Sequence, residues 1–245
     1  MKHSLGFDPR DIPCSAQQQN WPVVSKALLN GESLRWVFKN PPRWTPEVKR
    51  EPQFGQRPPQ AAAVLVPIVM RGQNGQDPHL LLTQRTQHLS SHAGQIAFPG
   101  GKVDPTDASL EHTALREAEE EVGLTTEHVE VLGQLPSYIT GTSFHITPVV
   151  ALVSPDHTIL PNANEVEFTF EVPLAFLMDP TNHRLHLWEK DGVQRQWYSM
   201  PYRPQSLNAS NTHTDKQVDT EYFIWGATAG MIRNLYRFLL AANSL

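Results

Sequence analysis

A single cysteine, Cys14, stands among 245 residues. It excludes a framework of disulfides inside the chain, and a spectator thiol in a reducing cytosol is the expectation. Long hydrophobic runs are also missing. The longest, from Ala61 to Met70, falls well short of the roughly 20 apolar residues that a membrane-spanning helix needs. The opening M-K-H-S-L-G-F-D-P-R has no apolar stretch of the signal-peptide kind. Positive charge is sparse too: 20 Lys plus Arg stand against 25 Asp plus Glu, for a net charge of -5, and no basic block occurs. That balance argues against a nucleic-acid partner and against stable membrane association. The length suits one generous domain, or one domain with an extension.

Proline is what the first part of the chain has in excess. It occupies positions 9, 13, 22, 41, 42, 46, 52, 58 and 59, a density that forbids long helices and interior strands. A short helix is expected from Val23 to Leu29, stopped by Asn30-Gly31, and a strand from Leu34 to Phe38. Trp21, Trp36, Trp44 and Phe54 are large apolar anchors in this polar stretch. Residues 1–60 therefore read as a proline-rich N-terminal extension, partly disordered, wrapped on the core or on the partner subunit of a homodimer. Chemistry is expected not to depend on it.

Residues 61–245 read as the compact domain. Ala61–Met70 is nearly continuously apolar, as a central strand is, with Pro67 marking a bulge or an unpaired stretch. Arg71–His79 is a Gly-, Asn- and Asp-containing turn, and His79–Thr83 pairs back as a hairpin. Downstream, strands are expected at Val129–Leu135 and Phe144–Val153, the second interrupted at Pro148, with a loop at Ser137–Ser143 between them. A short helix follows Pro173. A hairpin turns at Asp191-Gly192, residues 201–218 form a loose loop, and Met231, Leu235, Phe238 and Leu239 make the packing stripe of a closing helix.

The stretch from Gly94 to Leu124 organises the rest. It reads G-Q-I-A-F-P-G-G-K-V-D-P-T-D-A-S-L-E-H-T-A-L-R-E-A-E-E-E-V-G-L. Gly100 and Gly101 suggest a tight bend, and a helix is expected from Thr106 or Asp107 to Gly123. Ala114, Leu115, Ala118 and Val122 give it an apolar face. Glu117, Glu120 and Glu121, three and four residues apart, share the other. Three carboxylates on one face repel each other unless a cation sits among them, and a hard ion such as Mg²⁺ or Mn²⁺ takes oxygen ligands and binds phosphates too. Taken alone, an acidic run is most often a solvated helix face. The glycine bend before it is what favours a site.

These residues resemble the signature of the Nudix hydrolases, in which R-E-x-x-E-E-x-G closes a strand-loop-helix-loop. Arg116, Glu117, Glu120, Glu121 and Gly123 match it. Between Gly101 and Arg116 there is one residue more than the general pattern, and Asp107 or Ala108 stands where a glutamate is usual. That departure resembles the coenzyme A pyrophosphatase subgroup. So does the leader, through Leu81, Leu82, Thr83, Arg85, Leu89, His92, Gly94, Gln95, Phe98, Pro99, Gly100 and Gly101, with Thr86 in place of serine. Glu165-Val166, Val172-Pro173-Leu174, and the segment with Ile224, Trp225, Gly226, Thr228 and Ala229 extend the likeness. The extension at residues 1–60 lies outside it.

The resemblance implies an α/β/α sandwich with a mixed sheet between a catalytic and a closing helix. It implies a small-molecule nucleotide substrate and metal-dependent hydrolysis of the diphosphate bond of coenzyme A or its derivatives, with Glu117, Glu120 and Glu121 holding Mg²⁺ or Mn²⁺. Arg116 is implied to hold a metal-binding glutamate in place. The general base is one of the helix glutamates or Glu165, whose bland alternative is a surface or capping carboxylate. Arg85 and His92, with Gly100 and Gly101, are the candidate diphosphate contacts. For Arg85 the structural alternative is a pair with a helix carboxylate, and for His92 a loop cap. Three alternatives stay open: another nucleoside diphosphate derivative such as ADP-ribose, a non-catalytic nucleotide-binding regulatory module, and a plain α/β domain whose acidic helix faces water.

Overall fold

The computed structural model describes residues 8–15, 21–47, 50–51, 58–89, 92–190, 193–204 and 220–244. Its centre is β1 (Gln60–Arg71), which runs parallel to β7 (Phe144–Val153) from Gln60↔Phe144 to Val69↔Val153. Alternation along β1 explains why it is apolar throughout. Ala63, Leu65 and Val69 enter one core, while Val64, Val66 and Ile68 enter a second core on the other face. A strand buried on both sides has no polar face to show. Pro67 falls between two pairings on one edge of β1. Ala62–Val64 pair with β4 (Gly100–Lys102), and Ile68–Arg71 pair with β2 (Asp77–Arg85) in the expected hairpin. The missing N–H of Pro67 therefore breaks no bond on that edge, and Pro148 likewise leaves the β1–β7 register continuous.

Among the described residues the sheet has eight strands: these four with β3 (Ile96–Ala97), β5 (Val129–Gln134), β6 (Tyr138–Ile139) and β8 (Val166–Pro173). β6 occupies part of the segment expected to be a plain loop. One face of the sheet carries α2 (Leu110–Val122), whose Ala114, Ala118 and Val122 sit at i, i+4 and i+8 against Ala63, Leu65 and Ala151. The other carries α4 (Gly226–Ala241), packed through Met231, Ile232, Leu235, Phe238 and Leu239. This is the expected α/β/α sandwich. A second sheet of β11 (Tyr222–Trp225), β10 (Val193–Tyr202) and β9 (Arg184–Lys190) lies against the α4 core. Tyr222 joins it to the main sheet by stacking on Phe170 at 4.0 Å. The turn expected at Asp191-Gly192, Phe54, and most of the loop expected at 201–218 lie outside the described residues.

The extension departs from expectation. Asn30-Gly31 does not stop a helix but starts one: Asn30 accepts from Ser33 N at 3.0 Å and caps α1 (Gly31–Lys39). Leu34–Phe38, read as a strand, is inside that helix, and within the segment Val23–Leu29, read as a helix, Lys26–Leu28 forms a single 3-10 turn. Leu34 and Val37, three apart, are both fully buried in the α4 core, which is a helical spacing. Burial of each contributes about 1.5–3 kcal/mol. A short α3 (Leu174–Leu177) follows Pro173.

Candidate active site

The catalytic-type helix starts three or four residues later than its sequence suggests, at Leu110. Ser109 is the N-cap, accepting from His112 N at 3.1 Å. Asp107 instead closes the preceding loop, because its carboxylate takes Arg116 Nε at 2.9 Å and Arg116 Nη2 at 3.0 Å. The guanidinium bonds hold Asp107 far below the usual carboxylate range. Arg116 also lies 3.0 Å from Glu117 Oε1 and 3.0 Å from Glu120 Oε2. It spans the loop and two of the three candidate carboxylates. Gly123 ends the helix in the left-handed region at φ 69, and its N–H returns to Glu119 O.

The two glycines are required by close approach. A Cβ on Gly100 (φ 158) would meet Ala63 O at 2.5 Å, and one on Gly101 would meet the Glu117 carboxylate at 2.3 Å. The bend thus brings backbone directly onto the helix glutamates. Gly100 N–H donates to Glu121 Oε2 at 3.2 Å, and Arg85 Nη1, from the end of β2, donates to Glu121 Oε1 at 3.2 Å. Glu121 is only 3 % exposed. Burial pushes its carboxyl up to about 7 against the pull of Arg85 and Gly100, and Glu165 and Glu117 add repulsion. Burial also raises Glu117, with Glu120 and Glu165 reinforcing it and Arg116 opposing.

The structure therefore brings together Arg85, Gly100, Gly101, half-buried Glu117 and buried Glu121, with Glu165 near enough to repel both carboxylates. The Glu165 loop is pinned to β2 by Thr86 N–H to Glu165 O (2.9 Å). Glu120 stands apart: its half-exposed carboxylate lies on Arg116. His92 is exposed, holds φ 56, and its Nδ1 lies 2.9 Å from Gln95 Oε1. Among the described residues, no three His, Cys, Asp or Glu side chains are placed to chelate an ion as they stand. The donor chemistry still fits a hard divalent cation. Two carboxylates face each other, both are raised by burial and repulsion, and a cation reverses that penalty.

A cavity of about 370 Å³ opens from this point. Arg85, His92, Gly100 and Gly101 line one end, and Phe144, Ile146, Trp197, Trp225 and Met231 share the rest with polar side chains such as Glu51, Lys102, Thr140 and Arg195. A second cavity of about 640 Å³ adjoins it, between β9, β10 and the extension. Sequence reasoning missed Glu51, Arg195 and Trp197 on these walls. They stand in an extension and a hairpin without motif character, and only chain folding carries them to the cleft.

The NUDIX domain family model matches residues 59–201. The chain is 43 % identical over 191 residues to an uncharacterized Nudix hydrolase, NudL, of Shigella flexneri serotype 5b, covering 78 % of this chain and 86 % of that protein. It is 45 % identical over 175 residues to the protein of the same description in Escherichia coli O1:K1 / APEC, covering 71 % and 80 %. A solved Nudix hydrolase from M. Smegmatis, RenU, aligns with 26 % identity and a TM-score of 0.40, covering 49 % of this chain and 73 % of that one. The chain belongs to the Nudix hydrolase family. Its domain architecture is that of a hydrolase acting on phosphoanhydride bonds, and enzymes of this family generally require a divalent metal ion. Among the described residues, no helix is long and apolar enough to cross a membrane.

Proposed function

We propose that the chain hydrolyses the diphosphate linkage of a nucleoside diphosphate derivative, and that coenzyme A or an acyl or oxidised form of it is the substrate. The observation that carries the reading is the meeting of Arg85, the Gly100 N–H and buried Glu121 at the polar end of a cleft whose walls carry both aromatic and polar side chains. The coenzyme A preference rests on the sequence likeness of the leader around Arg85–Gly101 and of the closing segment Ile224–Ala229. A second reading, a compact derivative such as ADP-ribose, fits the same polar end equally well. The carboxylates Glu117, Glu120 and Glu121 argue against a purely regulatory nucleotide-binding role. We assign a reducing cytosol as the compartment, on the single, exposed Cys14.

Arg85 is the side chain that meets the diphosphate. One Nη1–H of its fork bonds Glu121, and a guanidinium fork matches phosphate oxygens in bidentate geometry. Gly100 and Gly101 let the phosphates reach backbone. Mg²⁺ or Mn²⁺, held by Glu117 and Glu121 with Glu120 as the outer ligand, would neutralise the diphosphate and lower the pKa of the attacking water. Glu120 is the ligand least favoured by the geometry, because its carboxylate already sits on Arg116. Water forms the new P–O bond, the anhydride P–O bond breaks, and the proton released goes to a carboxylate. Glu165, partly exposed beside Glu117 and Glu121, is our base. From coenzyme A the products are 4'-phosphopantetheine and adenosine 3',5'-bisphosphate.

A product assay with coenzyme A, its disulfide, ADP-ribose and diadenosine polyphosphates tests this. Cleavage in Mg²⁺ or Mn²⁺, lost in EDTA, is the expected result. Cleavage of none of the four, or full activity in chelator with metal shown absent by elemental analysis, overturns it.

A further inference from the structure

The first cavity, at about 370 Å³, lies near the lower end of the range for small-molecule sites. The larger cavity beside it shares Glu51, Arg195, Gln196, Trp197 and Gly226 with the first. We propose that this second cavity is a substrate subsite for an elongated, uncharged substituent carried beyond the diphosphate, and that Glu51 of the extension positions the loop at the junction. The inference rests on the diphosphate-hydrolase reading above and adds to it where the far end of the substrate goes.

Three observations carry it. The first is that the shared wall is preorganised. Trp197 stacks on His186 with centroids 5.6 Å apart and 8° between planes. His186 is itself anchored 2.7 Å from Ile12 O and 2.7 Å from Ser199 Oγ. An aromatic face held in this way costs little to order when a ligand lies on it. The second is the charge of the larger cavity. Glu51 and Glu189 balance Arg50 and Arg195 on its walls, Glu47 is already paired with Arg233, and Tyr138, Trp188 and Leu187 supply apolar surface, so no net positive charge is left over. Such walls do not favour a second anionic group, but they suit a chain with amide-type donors and acceptors. Leu187, 55 % exposed, stands among them as an apolar side chain without a core to enter.

The third is the part that Glu51 plays. Its Oε1 accepts from Tyr138 OH at 2.7 Å and its Oε2 from Gly141 N–H at 2.8 Å, while its own N–H donates to Ile139 O at 2.8 Å. The residues tied down in this way begin the segment that lines both cavities: Tyr138 in the larger, and Thr140, Thr142 and Phe144 in the smaller. Tyr138 is also seated on α4, where a Cβ at Gly230 would come within 2.8 Å of its ring. Glu51 precedes the stretch that the family model matches, 59–201. The junction of the two cavities is therefore set by the extension of this chain.

The test compares two ADP β-esters, one of methanol and one of a long, uncharged, amide-containing alcohol, with kcat and KM measured separately. The unaltered protein is expected to prefer the long ester. Leu187→Trp, which narrows the larger cavity, is expected to reduce that preference about tenfold, the scale of a lost pocket contact. Glu51→Ala is expected to raise KM for the long ester more than it lowers kcat. Glu51→Gln restores the preference, since its amide oxygen accepts from Gly141 while its NH₂ donates to the rotatable Tyr138 hydroxyl. Melting curves identify folded variants, and if Glu51→Ala does not fold, Leu187→Trp decides. No preference in the unaltered protein, or an unchanged preference in folded Leu187→Trp, overturns the subsite. Loss of kcat on both esters alike in Glu51→Ala, without rescue by Gln, overturns the positioning role. If the unaltered protein cleaves neither ester, the diphosphatase reading itself fails and the subsite falls with it.

Discussion

Replacing Glu121 by glutamine tests the centre of the site, because stability and turnover should move in opposite directions. Glu121 is 3 % exposed, and burial raises its carboxyl from 4.5 to about 7. Keeping it ionised in the metal-free protein therefore costs about 3 kcal/mol. The folded value lies above the unfolded one, so the acid's stabilising contribution is complete below pH 4.5 and is lost as pH rises through about 7. Glutamine keeps the volume and one acceptor for Arg85 or Gly100, but not both, and that lost bond offsets about 1 kcal/mol of the relief. In EDTA at pH 8 the variant should thus be more stable than the unaltered protein by about 2 kcal/mol, and at pH 4.5 the advantage should vanish. With Mg²⁺ at pH 8, turnover should fall at least ~100-fold, the scale of one lost electrostatic contact to a transition state. Urea melts at both pH values and steady-state rates measure all of this. A variant less stable than the unaltered protein at pH 8 in chelator, or one with near-normal turnover, would refute the assignment of Glu121 as a buried, strained carboxylate of the site.

Four further outcomes follow from the same geometry. Glu119→Gln, a change on the exposed side of α2, should alter turnover by less than ~5-fold in the same assay, since surface substitutions away from special features perturb little. Gly101→Ala should abolish turnover while the fold survives, because its Cβ falls 2.3 Å from the Glu117 carboxylate; circular dichroism and activity together check it. Glu47→Ala should cost about 3–5 kcal/mol in denaturant melts, since it removes the carboxylate that Arg233, 1 % exposed, meets at 2.8 Å. Finally, Arg233 donates to His183 Nδ1 at 2.9 Å and His183 Nε2 reaches Leu177 O at 2.8 Å, which requires the neutral ring. Burial pushes His183 down from 6.5 to about 4, so stability is fully present above pH 6.5 and falls by up to about 3 kcal/mol as pH drops towards 4. His183→Gln, whose amide reproduces both bonds, should flatten that slope; an unchanged slope would assign it to other groups.

The Glu47 pair bears on the expectation that chemistry does not depend on the extension at residues 1–60. Glu47 pairs with Arg233 of α4, Leu34 and Val37 fill the core, and Glu51 holds the cleft loop. A protein lacking residues 1–55 should therefore lose global stability along with cleft geometry.

The central strand, the hairpin to β2, the helix ending at Gly123 and the closing helix were legible because each is written in local chemistry. A doubly buried strand must be apolar throughout, a left-handed helix end favours glycine, and a helix stripe repeats every three or four residues. The same locality made Arg116–Gly123 and Arg85–Gly101 readable as motifs. The proline-dense extension was not readable this way. Its density hid a helix capped by Asn30, because a short segment takes its conformation from what it packs on as much as from its own residues. That Arg85 reaches Glu121, and that Glu51 and Trp197 come to line one cleft, depends on residues 36 to more than a hundred positions apart coming together. No local pattern encodes those distances. The sequence by itself determined the central strand, the glutamate-bearing helix and the closing helix, and the tertiary structure decided which of the glutamates are buried and what walls stand around them.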